Sequence, residues 1–309
     1  MFYSGAFTIR PAMLPLLHTL KFITGHPFNR GHEMAALAGY LRWQIGSRLL
    51  PGGVICDWVD GSRMIVSRGE TGLTGNLYCG LHEFGDMAYV LHVMGPDDLF
   101  VDIGANVGSY TILACAARGA RGICIEPVPS TFERLQANLR LNNLGARVEA
   151  HNIGLADAEG ELLFTASLNS VNHVVTPEEA QQDTVRVPMR TLDQVLAGRS
   201  PSMLKIDVEG FETRVLQGAP ACLADPVLHT VIMELNGSGE RYGFDETALL
   251  RLMRGHGFEP YFYEPYARQL QALEGESFPP GNLVFVRGRE RVMEKIARAG
   301  QARILGRLL

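Results

Sequence analysis

The chain has 309 residues, 46% of them hydrophobic and 20% charged, with a formal net charge of −5. This is globular composition, long enough for one large α/β domain with an N-terminal addition, and it excludes a disordered chain. With no basic excess, nothing in it favours a nucleic-acid partner, whose phosphates would have to be neutralised.

Residues 1–50 mix apolar and basic positions and read as one or two helices. The apolar patch Met13 to Leu20 is too short for a bilayer span and lacks a cleavage pattern, so the cytoplasm is the expected location. Residues 51–68 alternate like strands, with Asp60-Gly61 as the turn of a hairpin. Residues 1–95 together are expected to form a cap on the substrate side. Five cysteines, Cys56, Cys79, Cys115, Cys124 and Cys222, form no C-x-x-C pair and read as reduced thiols, not as a zinc cluster.

From residue 98 the pattern becomes strand, turn, helix, repeated. Apolar strands are expected at Leu99–Ile103, Gly122–Ile125, Val148–Ile153, Met203–Val208 and His229–Leu235. Helices fall at 110–117, 131–141, 211–223 and 246–256. An irregular stretch, 155–200, holds a predicted hairpin (162–165 with 185–188), a polar loop at 167–173 and a short helix near Leu192. Strands at 258–263 and 283–286 close the core, joined by a loop instead of a helix, which implies an antiparallel edge. The whole, residues 96–288, reads as a doubly wound, mostly parallel sheet covered on both faces. Residues 289–309 carry Val292, Ile296, Gly300, Ile304 and Leu308 on one stripe beside several basic residues. They are expected to form a helix that either packs on the domain or touches an anionic membrane peripherally.

The segment D-I-G-A-N-V-G, Asp102 to Gly108, joins the first apolar strand to its helix. Glycines there permit a tight turn and close approach of a ligand, in the crevice where open α/β sheets bind ligands. The spacing is not G-x-G-x-x-G, and Asp102 stands where a pyrophosphate would be repelled. The ammonium and sulfonium of S-adenosylmethionine would be attracted instead. Asp102, Gly104, Asn106 and Gly108 are therefore candidates for its methionine end. Glu126, ending the second strand, is placed to accept both ribose hydroxyls, or else to stabilise the next helix. Asn152 and Asp157 can meet the adenine edge or simply shape a turn.

In K-I-D-V-E-G-F-E, Lys205 to Glu212, charges sit inside an apolar strand, where they must be paired or functional. Lys205, Asp207 and Glu209 would share a face while the strand continues. Asp207, Glu234 and Asn236 could hold Mg²⁺ or bind substrate hydroxyls directly. His173 is a candidate general base, alongside Asp207 and Glu234.

The runs V-D-I-G-A-N-V-G-S-Y-T, I-E-P at Glu126, G-L-A-D-A-E-G, T-L-D at Thr191 to Asp193, and L-K-I-D-V-E-G-F-E followed by V-L-Q-G-A resemble the FkbM-type methyltransferases over roughly residues 98–260. The resemblance implies the seven-stranded, Rossmann-like class I methyltransferase fold, S-adenosylmethionine as cofactor, and O-methylation of a sugar, glycolipid or polyketide-like acceptor. It supplies no settled base. The mechanism expected from the residues themselves is direct in-line transfer, with Asp207 and His173 orienting or deprotonating the acceptor. Two other readings stay open: a nucleotide-dependent oxidoreductase, and a non-catalytic cofactor-binding protein at a membrane.

Overall fold

The computed structural model describes residues 13–50, 52–165, 173–176, 183–275 and 278–309. Two helices open it, α1 (Met13–Gly25) and α2 (Glu33–Leu49), followed by the hairpin of β1 (Val54–Asp57) and β2 (Arg63–Val66). Its turn uses left-handed backbone at Asp60 (φ 48°) and Gly61 (φ 83°), as the Asp-Gly pair predicts. Residues 71–93 add two helices that the sequence reading did not assign, α3 (Thr71–Cys79) and α4 (Phe84–Val93).

The core then runs β3 (Leu99–Ile103), α5 (Ser109–Thr111, continued by a π-helical stretch, Ile112–Ala117), β4 (Arg121–Ile125), α6 (Pro129–Leu141) and β5 (Val148–His151). Next come β6 (Gly154–Leu155), β7 (Gly160–Thr165) and β8 (Thr184–Arg190), which form a separate three-stranded sheet. The chain returns through α7 (Leu192–Leu196), β9 (Met203–Ile206), α8 (Glu212–Gln217), α9 (Pro220–Ala224), β10 (Thr230–Leu235) and α10 (Glu246–Gly255). It closes with β11 (Glu259–Glu264), β12 (Gln269–Ala272), β13 (Gly281–Val286), α11 (Arg289–Arg298) and the small pair β14 (Arg303–Ile304) and β15 (Arg307–Leu308).

The main sheet has eight strands in the order β12-β11-β13-β10-β9-β3-β4-β5. The five from β5 to β10 run parallel, and β13, β11 and β12 add antiparallel pairs. The eighth strand is β12, formed inside the loop that joins the two closing strands. Chain order reverses between β3 and β9, which makes their carboxyl ends the switch point of the sheet.

Strand alternation sorts the side chains onto two faces. Val101, Ile103, Leu204, Ile206, Val231 and Met233 build one core with residues of α7 to α10. Phe100, Cys124, Met203, Ile232 and Val284 build the other with α4, the π-helical stretch, α6 and α11. Asp102, Lys205, Glu234 and Asn282 occupy the same alternation as this second set, so these four polar side chains face α4 and α5.

Two expectations change. The single helix expected over 211–223 is two, because Pro220 lacks the N–H a continuing helix needs and Gly218 packs against β6's exit. A Cβ on Gly218 would lie 2.1 Å from the Ala156 carbonyl oxygen. The tail is helical only to Arg298; Ala299 turns extended, and β14 and β15 follow. Its apolar stripe is used internally: Val292, Ile296 and Ile304 are buried, and Lys295 Nζ bonds both Asp98 carboxylate oxygens at 2.7 Å. Among the described residues no helix is long and apolar enough to cross a membrane.

Candidate active site

A cavity of about 360 Å³ opens at the switch point. The ends of β3, β4, β9 and β10 contribute Asp102, Gly104, Asn106, Glu126, Asp207, Glu209 and Glu234 to its lining, and the segment before and within α3 and α4 contributes Glu70, His82, Glu83 and Met87.

The turn after β3 is built by its glycines. Gly104 (φ 76°) and Gly108 (φ 93°) take backbone that favours glycine. A Cβ on Gly104 would sit 1.8 Å from the Asp207 carbonyl oxygen, so the ends of β3 and β9 touch only because it is absent. Gly108 does not line the cavity; it makes room for Leu135 of α6. Asp102 is buried, and its Oδ2 accepts from the Thr111 amide (2.9 Å) and hydroxyl (2.6 Å), tying β3 to α5. Burial pushes its carboxyl up to about 6 despite those bonds.

Glu126 is held from both sides. Its Oε2 accepts the Asn106 N–H and its Oε1 the Val128 N–H, each at 3.0 Å. Burial raises it to about 7, against those two amides. Each oxygen keeps a lone pair for a ligand hydroxyl. Asn152 braces this segment without lining the cavity, donating to the Glu126 and Pro127 carbonyls at 2.8 and 2.9 Å. Asp157 lies away from the lining and pairs with Arg214 at 2.5 Å.

On the substrate side, Lys205 is 1% exposed. Its Nζ donates to Asp207 Oδ2 and Asn282 Oδ1, both at 3.1 Å, and stands 5.3 Å from the Tyr110 ring centroid. Burial opposes its charge, but Asp207, Glu83 and Glu234 more than offset this and keep it protonated. Asn282 in turn donates to Glu83 Oε1, and the Tyr110 hydroxyl donates to Glu83 Oε2, both at 2.7 Å. Glu83, Asn282, Lys205 and Asp207 therefore form one hydrogen-bonded chain along the cavity wall. Burial and the neighbouring Asp207 push Glu234 up to about 8.

The oxygen-rich group differs from the expected one. Asp207, Glu209 and Glu234 place one carboxylate oxygen each within 4.8 Å of one another. Asn236 is exposed instead, its Oδ1 accepting from the Ser238 N–H. The strand ends at Ile206, so Glu209 reaches the group through a left-handed turn (φ 55°) and not by continued alternation. His173 is buried but is not among the lining residues. It sits against β7, its backbone N–H donating to Thr165 Oγ1 at 3.1 Å. The rest of its loop, 167–172, lies outside the described residues.

Glu83, Tyr110, His82 and Asn282 escaped the sequence reading. Asn282 carried a signal, being a polar residue at the start of an apolar strand. In the fold it pairs across strands with Glu234.

Among the described residues, the two Lys and Arg side chains of the lining are already engaged, Lys205 by Asp207 and Arg134 by Glu70 at 2.5 Å. The strand-end carboxylates leave acceptors for a ligand with cationic and hydroxyl groups.

Residues 102–260, more than half of the chain, match the model of the methyltransferase FkbM domain. The 31-O-demethyl-FK506 methyltransferase FkbM of Streptomyces tacrolimicus is 30% identical over 215 residues, covering 57% of this chain and 78% of that protein. The hexuronic acid methyltransferase AglP of Haloferax volcanii is 27% identical over 143 residues, covering 45% and 56%. The AMB antimetabolite synthetase AmbE of Pseudomonas aeruginosa is 29% identical over 212 residues, 54% of this chain, but the match spans only 10% of AmbE. The motif turn, the carboxylates at the strand ends and the family match fall on the same residues, and the chain belongs to the FkbM methyltransferase domain family.

Proposed function

We propose that the protein transfers a methyl group from S-adenosylmethionine to a hydroxyl of a sugar, glycolipid or polyketide-like acceptor. One observation carries this reading: carboxylates from the ends of β3, β4, β9 and β10 meet in a single cavity whose cations are already paired. That donor set fits a ligand that is cationic at one end and a diol at the other. Glu126 would take the ribose hydroxyls, and Asp102 and the Gly104 turn the methionine end.

When bound, S-adenosylmethionine supplies a methyl group already activated on sulfur, so the protein's tasks are position and proton removal. The Lys205–Asp207 pair fixes one wall and orients the acceptor oxygen. Glu234, raised to about 8, is a stronger proton acceptor than an ordinary carboxylate and is assigned the base role in place of His173. An oxygen acceptor is supported by the name of one relative, the 31-O-demethyl-FK506 methyltransferase, and a sugar acceptor by that of another, the hexuronic acid methyltransferase.

Calorimetric titration tests the cofactor directly. Saturable binding of S-adenosylhomocysteine, and none of NAD, is the expected result. Glu126→Ala should weaken it roughly 10- to 100-fold, the worth of hydrogen bonds to a charged group. Binding of NAD alone would overturn the reading in favour of an oxidoreductase.

A further inference from the structure

Helix α2 has two apolar faces. One carries Tyr40 and Trp43 inward, and the Tyr40 ring meets Tyr78 of α3 edge-on at 5.2 Å. The other faces solvent. Met34, Leu41, Ile45 and Leu49 recur at helical spacing along it, 79%, 59%, 63% and 76% exposed. A surface helix normally turns polar residues outward, and a contiguous apolar stripe marks a contact. Leu50 at its end and Leu16 and Leu17 of α1 are also exposed.

The stripe's borders say what it contacts. At 100° per residue, Arg48 falls on one side of it and Arg42 on the other, and both are exposed. Between residues 13 and 50 the basic side chains are Lys21, Arg30, Arg42 and Arg48, and the one acid is Glu33, in a chain of net charge −5. Glu33 sits off the stripe and accepts the Gly31 N–H at 2.9 Å. Apolar side chains fenced by arginines complement hydrocarbon beneath anionic headgroups. A second copy of the chain fits less well, because symmetric pairing would bring the same arginines together.

We infer that the outer face of α2 docks the protein on an anionic lipid bilayer. The acidic remainder of the chain is repelled by such a surface, which orients the molecule on it. Helix α3, packed beneath α2, sends Gly72 and Leu73 to the cavity lining, so the bilayer lies one helix layer from the site. An acceptor with a lipid tail would be met where it resides. The docking role does not depend on which group is methylated.

Flotation of the full chain with vesicles tests this, using phosphatidylcholine alone and phosphatidylcholine mixed with phosphatidylglycerol. The protein should float with the mixed vesicles only, and added salt should release it. Arg42→Gln with Arg48→Gln should weaken binding about 30-fold. Leu41→Glu with Ile45→Glu should abolish it while leaving the thermal melt in place, since both side chains are exposed. Failure of the unmodified protein to bind mixed vesicles, or equal binding to both kinds, overturns the proposal whatever the variants do. Retained binding in the Leu41→Glu, Ile45→Glu variant also overturns it. So does a lipid-free dimer, seen by sedimentation velocity, that this variant dissociates, because the face then belongs to a second copy.

Discussion

Glu234 is the residue whose environment most clearly sets its chemistry. Burial and Asp207 raise its carboxyl to about 8, so it is neutral at lower pH and becomes a base as pH rises through that value. Turnover should therefore climb with pH to a plateau above about 8. Glu234→Gln should remove the climb and lower turnover at least about 100-fold with little change in S-adenosylhomocysteine affinity, which pH–rate profiles and titration would check. A profile unchanged by the substitution would return the base role to Asp207 or His173. Asp102, Glu126 and Asp207 were legible in the sequence because each lies at or just past the end of an apolar strand, and strand ends face the crevice. Glu83 was not. Its position depends on α4 covering the sheet and on bonds to Tyr110 and Asn282 from distant segments. The turn at Glu209 hid its meeting with Glu234, which no spacing rule conveys.

The junction of β3 and α5 is where an element's geometry rests on a missing atom. Gly104→Ala would place a methyl group 1.8 Å from the Asp207 carbonyl oxygen, in left-handed backbone. The ends of β3 and β9 would have to part. A loss of about 3 kcal/mol or more in urea unfolding is expected, with weakened cofactor binding. Gly108→Ala tests the same turn from behind, where the neighbour is the flexible Leu135 side chain. Its loss should be smaller. Most core strands were readable because both faces of a parallel sheet are apolar. Helices α3 and α4 were less so: α4 is apolar almost all round, since eight of its residues are buried, and a helix without a polar face shows no period. The break between α8 and α9 was signalled by Gly218 and Pro220 within the expected helix.

Across the whole molecule, folding buries a set of acids, in the site and around it, and makes them harder to ionise. Burial raises Asp102 to about 6, Asp86, Glu126 and Glu212 to about 7, and Glu234 to about 8, against ordinary values of 3.8 for Asp and 4.5 for Glu. A raised folded-state value favours the folded form while the group is protonated. That contribution is complete below the ordinary values and is lost as pH rises through 6 to 8. The ligand-free protein should melt at a higher temperature at pH 5 than at pH 8.5, and S-adenosylhomocysteine should narrow the difference. A melting temperature that rises across this window would contradict the burial of these groups as charges in waiting. Fold class and family were legible from the chain, whereas the fate of its last segment was not, because a basic amphipathic stripe looks the same whether it covers a sheet or a membrane. That segment reaches back to the first helices. Arg307 donates to the Phe28 carbonyl at 2.7 Å, 279 residues earlier in sequence, and to Asn29 Oδ1 at 3.1 Å, while Leu305 and Arg303 bond the loop after β1. During synthesis, the clasp on the turn between α1 and α2 can form only when residue 307 emerges, on the order of tens of seconds after residue 28 at ordinary elongation rates. Until then the first helices rest on nearer segments, as Tyr40 does on Tyr78, and the last residues made are the ones that fasten the turn between them.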